Sequence, residues 1–167
     1  MAASPPCQLA FRITSLARRA TPEDAEELVR LRKVMQDSCH GPNPDVSWQP
    51  AAVATLRARL DPAGTQTAYV VERSGPGGGL AACAVGTIEY RLGGPGNPEG
   101  TSGYVFSVAT DEDMRRRGCS RACMKGLLGW FRERGVRRID LRASSEGELY
   151  TSLGFVRTPD PAMRLSL

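Results

Sequence analysis

A chain of 167 residues is long enough for one domain with a sizeable core and too short for two. Its 22 basic and 18 acidic side chains leave a formal charge of +4, which suits an anionic small ligand. With aromatics at only 6%, not interleaved with the arginines, that charge is too mild to argue for nucleic acid. No run approaches the roughly 20 apolar residues of a membrane span. Five scattered cysteines, an odd number, fit a reduced cytoplasmic protein better than a disulfide framework. Every basic residue except Lys33 and Lys125 is arginine, which points to a bacterial genome of high GC content and to no function.

Residues 1–12 are acid-free and rich in small residues, and Arg12 interrupts their only apolar run, so they read as a disordered tail ahead of one domain over 13–167. A first strand is expected near Ser15 to Ala20. A helix follows, with Thr21 placed to cap it, Pro22 in its first turn, and Glu23 and Asp24 at its positive end. Ala25, Leu28, Leu31 and Met35 form its buried stripe. Ser38 to Pro44 reads as a loop, and a second helix is expected from Trp48 to Leu60. Tyr69 to Val71 and Leu80 to Tyr90 then read as antiparallel strands, joined by a hairpin over Ser74 to Gly79. A glycine-rich loop from Leu92 to Gly100 leads back into the sheet.

The most informative stretch comes next. Tyr104 to Thr110 is an unbroken β-branched and aromatic run, which predicts a strand buried on both faces. It feeds a basic turn, Arg115, Arg116, Arg117 and Gly118. Cys119, Ala122, Cys123, Leu127, Trp130 and Phe131 then recur at helical spacing. The first N–H groups of a helix lack intrahelical partners and carry partial positive charge, so arginines feeding into one make a seat for a pyrophosphate. Gly118 permits close backbone approach and a positive φ. Arg134 and Gly135 mark the helix end, and Val136 to Leu141 reads as a buried strand. Ser144 to Glu146 lead into a short helix carrying Tyr150, which Gly154 ends before a last strand pair around Phe155 and Met163 to Leu167. Cys119 and Cys123 lie on one helical face, but His40 is the sole histidine and no second ligand pair stands at metal spacing. No metal is expected.

Arg115-x-x-Gly118-x-Ser120 after a strand resembles the coenzyme A signature of the GNAT acyltransferase superfamily, with Ser120 where the pattern has Gly or Ala. Leu149, Tyr150, Thr151, Ser152, Leu153, Gly154 and Phe155 resemble that family's Leu-Tyr-x-x-Leu-Gly-Phe segment at the expected distance downstream. The resemblance implies a three-layer α/β fold of the α+β type, its mixed, mostly antiparallel sheet splayed at the cofactor site and flanked by helices. It implies acetyl-CoA as acetyl donor, held by backbone groups of Val108, Ala109 and Thr110 and by Arg115, Arg116, Arg117, Gly118, Cys119, Ser120 and Arg121. Tyr150 would be the acid that protonates the departing sulfur.

Acetyl transfer to an amine, on a small molecule or on a protein or peptide, is the implied reaction; homodimers are common in the family. The acceptor wall would include Met35, Asp37, His40 and Trp48. Tyr104 stands where many relatives carry a glutamate base, so Glu89 on the neighbouring strand, or a water chain, is the candidate base. Ala143 or Ser144 replaces an asparagine that often touches the cofactor, and Glu112 replaces a proline before the basic turn. Two other classes remain open from the residues alone. One is a catalytically silent acyl-CoA-binding domain, and the other a basic nucleic-acid-binding module. An acyl-cysteine route through Cys119 or Cys123 conflicts with their place in the packing stripe.

Overall fold

Five strands form one sheet in the order β1-β2-β3-β4-β5: Ala17–Arg19, Gln66–Glu72, Leu80–Tyr90, Thr101–Thr110 and Ile139–Leu141. All neighbours are antiparallel except β4 and β5, so the sheet is mixed and mostly antiparallel, as expected. The computed structural model describes residues 17–143 and 147–167; the expected tail, the start of the first strand and Ser144 to Glu146 lie outside the described residues.

Helices α1 (Ala25–His40) and α2 (Gln49–Arg59) stand on one side of the sheet, and α3 (Cys119–Glu133) on the other. The alternation of the strands sorts the core into two layers. Val70, Cys83, Val85 and Ala109 meet Leu28 and Leu31 of α1, while Ala82, Ala84 and Val105 meet Cys123, Leu127 and Phe131 of α3. The α3 layer is unusually close at one point. A Cβ on Gly86 or Gly103 would stand 2.8 or 2.7 Å from the Phe131 ring, so these two glycines make the socket that receives it. At the α3 C-terminus Arg134 lies 5.2 Å from the Trp130 ring, and Gly135, at φ 73°, turns the chain away.

Asp24 accepts the Thr21 N–H at 2.8 Å, and residues Pro22–Asp24 form a 3₁₀ turn from which α1 continues. α1 then runs further than predicted. Ser38, Cys39 and His40 are helical because the first residue to leave the helix is Gly41, at φ 86°, whose N–H returns to Asp37 O at 3.0 Å.

Three other expectations fail. β4 is not buried on both faces: Tyr104, Phe106, Val108 and Thr110 are half-buried, and Phe106 in the α1 layer and Val108 in the α3 layer both border open space, as does Thr110. β5 is three half-buried residues rather than six, since its pairing with β4 stops at Val105 and Leu141. Residues 155–167 form neither helix nor strand. Pro159 and Pro161 lack the N–H that a ladder needs, and Met163, Leu165 and Leu167 are exposed. The remaining short helix, α4, is Glu148–Ser152.

Candidate active site

The site begins with an irregularity in β4. Cys83 pairs with Ala109 but Val85 pairs with Phe106, so Ser107 and Val108 together stand opposite Ala84. That is a β-bulge, and it holds Ser107 at φ 51°. On the other edge β5 pairs with Gly103, Tyr104 and Val105 only. From Phe106 to Thr110 that edge of β4 has no strand beside it among the described residues, which leaves its backbone groups open to a ligand.

A cavity of about 430 Å³ occupies this opening, walled by Phe106 to Thr110, by Met35 and Cys39 of α1, by Leu141 of β5 and by Tyr150 of α4. A second cavity of about 530 Å³ shares Thr110, Arg115, Ser120 and Leu149 with it and runs on past Arg116, Gly118 and Arg121. The two are contiguous, so a channel leads from the splayed strands to the basic turn.

That turn is shaped for an anion. Arg116 lies at φ 59°, and Gly118, at φ 78°, is the N-cap of α3. The first intrahelical bond is Ala122 N–H to Gly118 O at 3.0 Å, which leaves the N–H groups of Cys119, Ser120 and Arg121 without helical acceptors. A hydroxyl pair, Thr110 Oγ1 to Ser120 Oγ at 2.5 Å, ties the end of β4 to the first turn of α3.

The turn is anchored from behind by Asp111. This buried carboxylate accepts from Arg30 at 2.8 and 3.0 Å and from Arg73 at 2.6 Å, while Arg73 also holds Asp113. Burial works against the charge of Asp111, but the two guanidiniums outweigh it and hold the carboxyl below its usual range. Glu27 completes the cluster on Arg30 and accepts the Leu80 N–H.

Tyr150 is half-buried at the other wall of the first cavity, edge-on to Phe155 at 6.1 Å between centroids. Burial pushes its phenol above the usual value, and a thiolate charge on nearby Cys39 would add to the effect. The group is therefore a proton donor throughout the neutral range. Among the described residues lining the first cavity there is no carboxylate.

The sequence matches the model of the acetyltransferase (GNAT) family over residues 28–155. The chain belongs to the GNAT acetyltransferase family. No curated protein is significantly similar in sequence. Among solved structures, a predicted acetyltransferase with acetyl-CoA from Clostridium acetobutylicum superposes with a TM-score of 0.76 at 22% identity, covering 90% of this chain and 94% of that one. A GCN5-related N-acetyltransferase from Ralstonia eutropha gives 0.70 at 24% identity, over 89% and 97%. Glucosamine-6-phosphate N-acetyltransferase from Arabidopsis thaliana gives 0.70 at 15% identity, over 89% and 96%. At these identities the likeness is one of fold.

Within this GNAT domain, nine of the ten residues expected at the cofactor line the channel. Val108, Ala109 and Thr110 line its first part, and Arg115, Arg116, Gly118, Cys119, Ser120 and Arg121 its second. Arg117 is exposed and lines neither. Cys119 belongs there through its backbone, because its side chain is in the core, where burial raises the thiol.

On the acceptor side Met35 lines the cavity, but Asp37 is tied to Lys33 at 2.5 Å, His40 is exposed, and Trp48 donates to Asp45 O at 3.2 Å. Glu89 is opposite Ser102 and pairs with Arg91 at 2.5 Å. It lines neither cavity, so its geometry gives no support to the role of base. Cys39 and Asp111 escaped the sequence reading. A longer first helix would have exposed Cys39; nothing in the spacing couples Asp111 to arginines 81 and 38 residues away.

Proposed function

We propose that the domain transfers an acetyl group from acetyl-CoA to an amine by direct attack while both substrates are bound. The observation that carries this reading is the loss of pairing between β4 and β5 beyond Val105, continuous with a glycine-capped helix N-terminus. Bound there, the thioester supplies the activated acetyl group. Arg115, Arg116 and the free N–H groups of Cys119 to Arg121 suit the diphosphate of such a substrate. The open backbone of Val108 to Thr110 can take up the pantetheine arm and offer donors to the carbonyl oxygen, at no cost of reorganisation during reaction.

Tyr150 protonates the sulfur as the bond from nitrogen to carbonyl carbon forms and the carbon–sulfur bond breaks. The proton lost by the amine passes to water, since no carboxylate lines the cavity among the described residues. An acyl-cysteine route through Cys119 or Cys123 is disfavoured. Burial raises both thiols and holds them in the packed core.

The reading takes the acceptor amine as one borne by a small molecule or a peptide, met in the cytoplasm by a monomer or homodimer. Calorimetric titration of acetyl-CoA tests the donor site. Micromolar binding is expected for the intact chain and loss of binding for the double variant Arg115→Ala, Gly118→Asp, and thiol release should then follow addition of a suitable amine. Binding without release from any amine would make this a silent acyl-CoA-binding domain. No binding would end the reading altogether.

A further inference from the structure

Among the described residues the charged side chains lining the first cavity are Arg115 and Arg142, and a third guanidinium, from α1, stands behind the lining on Ser107. Arg32 stands between Leu28 and Met35 at helical spacing, on the face turned to the sheet, and is half-buried. Its Nη1 donates to the hydroxyl of Ser107, the residue at the centre of the β4 bulge. The neighbouring cations of α1 are neutralised, Arg30 by Glu27 and Asp111 and Lys33 by Asp37. Arg32 has no ion-pair partner among the described residues.

Among the described residues this half-buried guanidinium has lost water without gaining a carboxylate, and four of its five N–H donors remain to be used there. Its position gives those donors a use. Successive residues are about 3.8 Å apart, so an anion held by Arg32 beside Ser107 lies within one to three residues of Val108 to Thr110. That span is the reach of a small amino acid from carboxylate to amine.

We propose that the acceptor is a carboxylate-bearing amine of amino-acid size, and that Arg32 binds its carboxylate at the Ser107 bulge. The proposal rests on the amine-transfer reading above and deepens it. A planar guanidinium engages a carboxylate through two parallel bonds, which would fix the acceptor's orientation as well as its charge. The described residues of the cavity include no acidic side chain, which also disfavours dicationic amines, since they meet Arg115 and Arg142 there and no compensating charge among those residues.

The test measures acetyl-CoA-dependent thiol release with α- and ω-amino acids, their matched amides and simple diamines. For the intact chain kcat/KM is expected to be about thirtyfold higher on the best acid than on its amide, the range of a charge-assisted hydrogen bond. Arg32→Gln should lower the rate on the acid about thirtyfold more than on the amide, Arg32→Lys should keep part of the preference, and calorimetric affinity for acetyl-CoA reports whether each variant keeps its fold. Equal rates on acids and amides, preference for diamines, or an Arg32→Gln loss shared equally by acid and amide would overturn the proposal. Release from diamines alone would do so while leaving amine transfer intact. A chain that binds no acetyl-CoA would instead remove the reading on which the proposal stands.

Discussion

From Gly103 to Val105, strand β4 is flanked on both edges and covered by α3, with Gly103 beneath the Phe131 ring. From Phe106 to Thr110 the same strand is paired on one edge, bulged at Ser107 and open to a cavity. The first half saturates its hydrogen bonds with protein and is held in place; the second leaves them for ligand. On the proposed function, one strand positions a substrate because its two halves are treated differently. The break between them falls where β5 ends.

The largest effect that would break this contrast is expected in the closed half. Phe131→Ala empties the socket formed by Gly86 and Gly103 and should cost about 4 kcal/mol in a denaturant titration, the usual price of deleting a buried ring. A loss below about 1 kcal/mol would show that the closed half is not the anchor.

Asp111→Ala comes next, at about 2 kcal/mol, because it removes charge-assisted bonds to Arg30 and Arg73, each of which keeps a second carboxylate, Glu27 or Asp113. The contribution of Asp111 should depend on pH. Its folded carboxyl is held below its unfolded value, so the stabilisation is full above about pH 4 and is lost as pH falls through the lower folded value. The stability gap between the protein and Asp111→Asn should therefore close in strong acid, and a gap independent of pH would contradict the pairing.

In the open half, Tyr150→Phe should lower kcat about a hundredfold with little change in acetyl-CoA affinity. The parent should also lose activity above about pH 10, where the raised phenol ionises, and the variant should lack that limb. Equal losses in turnover and affinity would sink the role of acid. The smallest effect is expected from Ser107→Gly, which relieves a φ of 51° and should change stability by less than about 1 kcal/mol. A larger drop would mean that the bulge depends on the serine hydroxyl and its bond to Arg32.

The sequence announced the closed half more clearly than the open one. β3 is bounded as predicted, Leu80 to Tyr90, because turn residues stand on both sides of it, and every apolar position of the α3 stripe is buried. The glycine at the helix N-terminus was legible for the same reason: few residues other than glycine fit φ 78°. The bulge was legible only through the family resemblance, since a serine at positive φ leaves no local mark. Asp111 was invisible because its partners are distant in the chain. The last turn of α1 was lost to polar residues that resemble a loop, and with it the Cys39 side of the cavity. The expected C-terminal strand pair failed differently, its alternation present but with no strand beside it among the described residues.

The Phe131 socket bears on the basic turn from a distance. Gly118 and Phe131 cap and nearly end the same rigid rod, about 20 Å apart at 1.5 Å per residue. With the ring seated in its socket as a fulcrum, a tilt of only about 5° would swing the glycine end by nearly 2 Å, beyond the tolerance of a hydrogen bond. The fit of one phenyl ring against two glycines thus sets the aim of the glycine-capped helix end from the opposite end of a lever, and on the proposed function small changes in that fit would retune the affinity for acetyl-CoA without touching any residue that meets it.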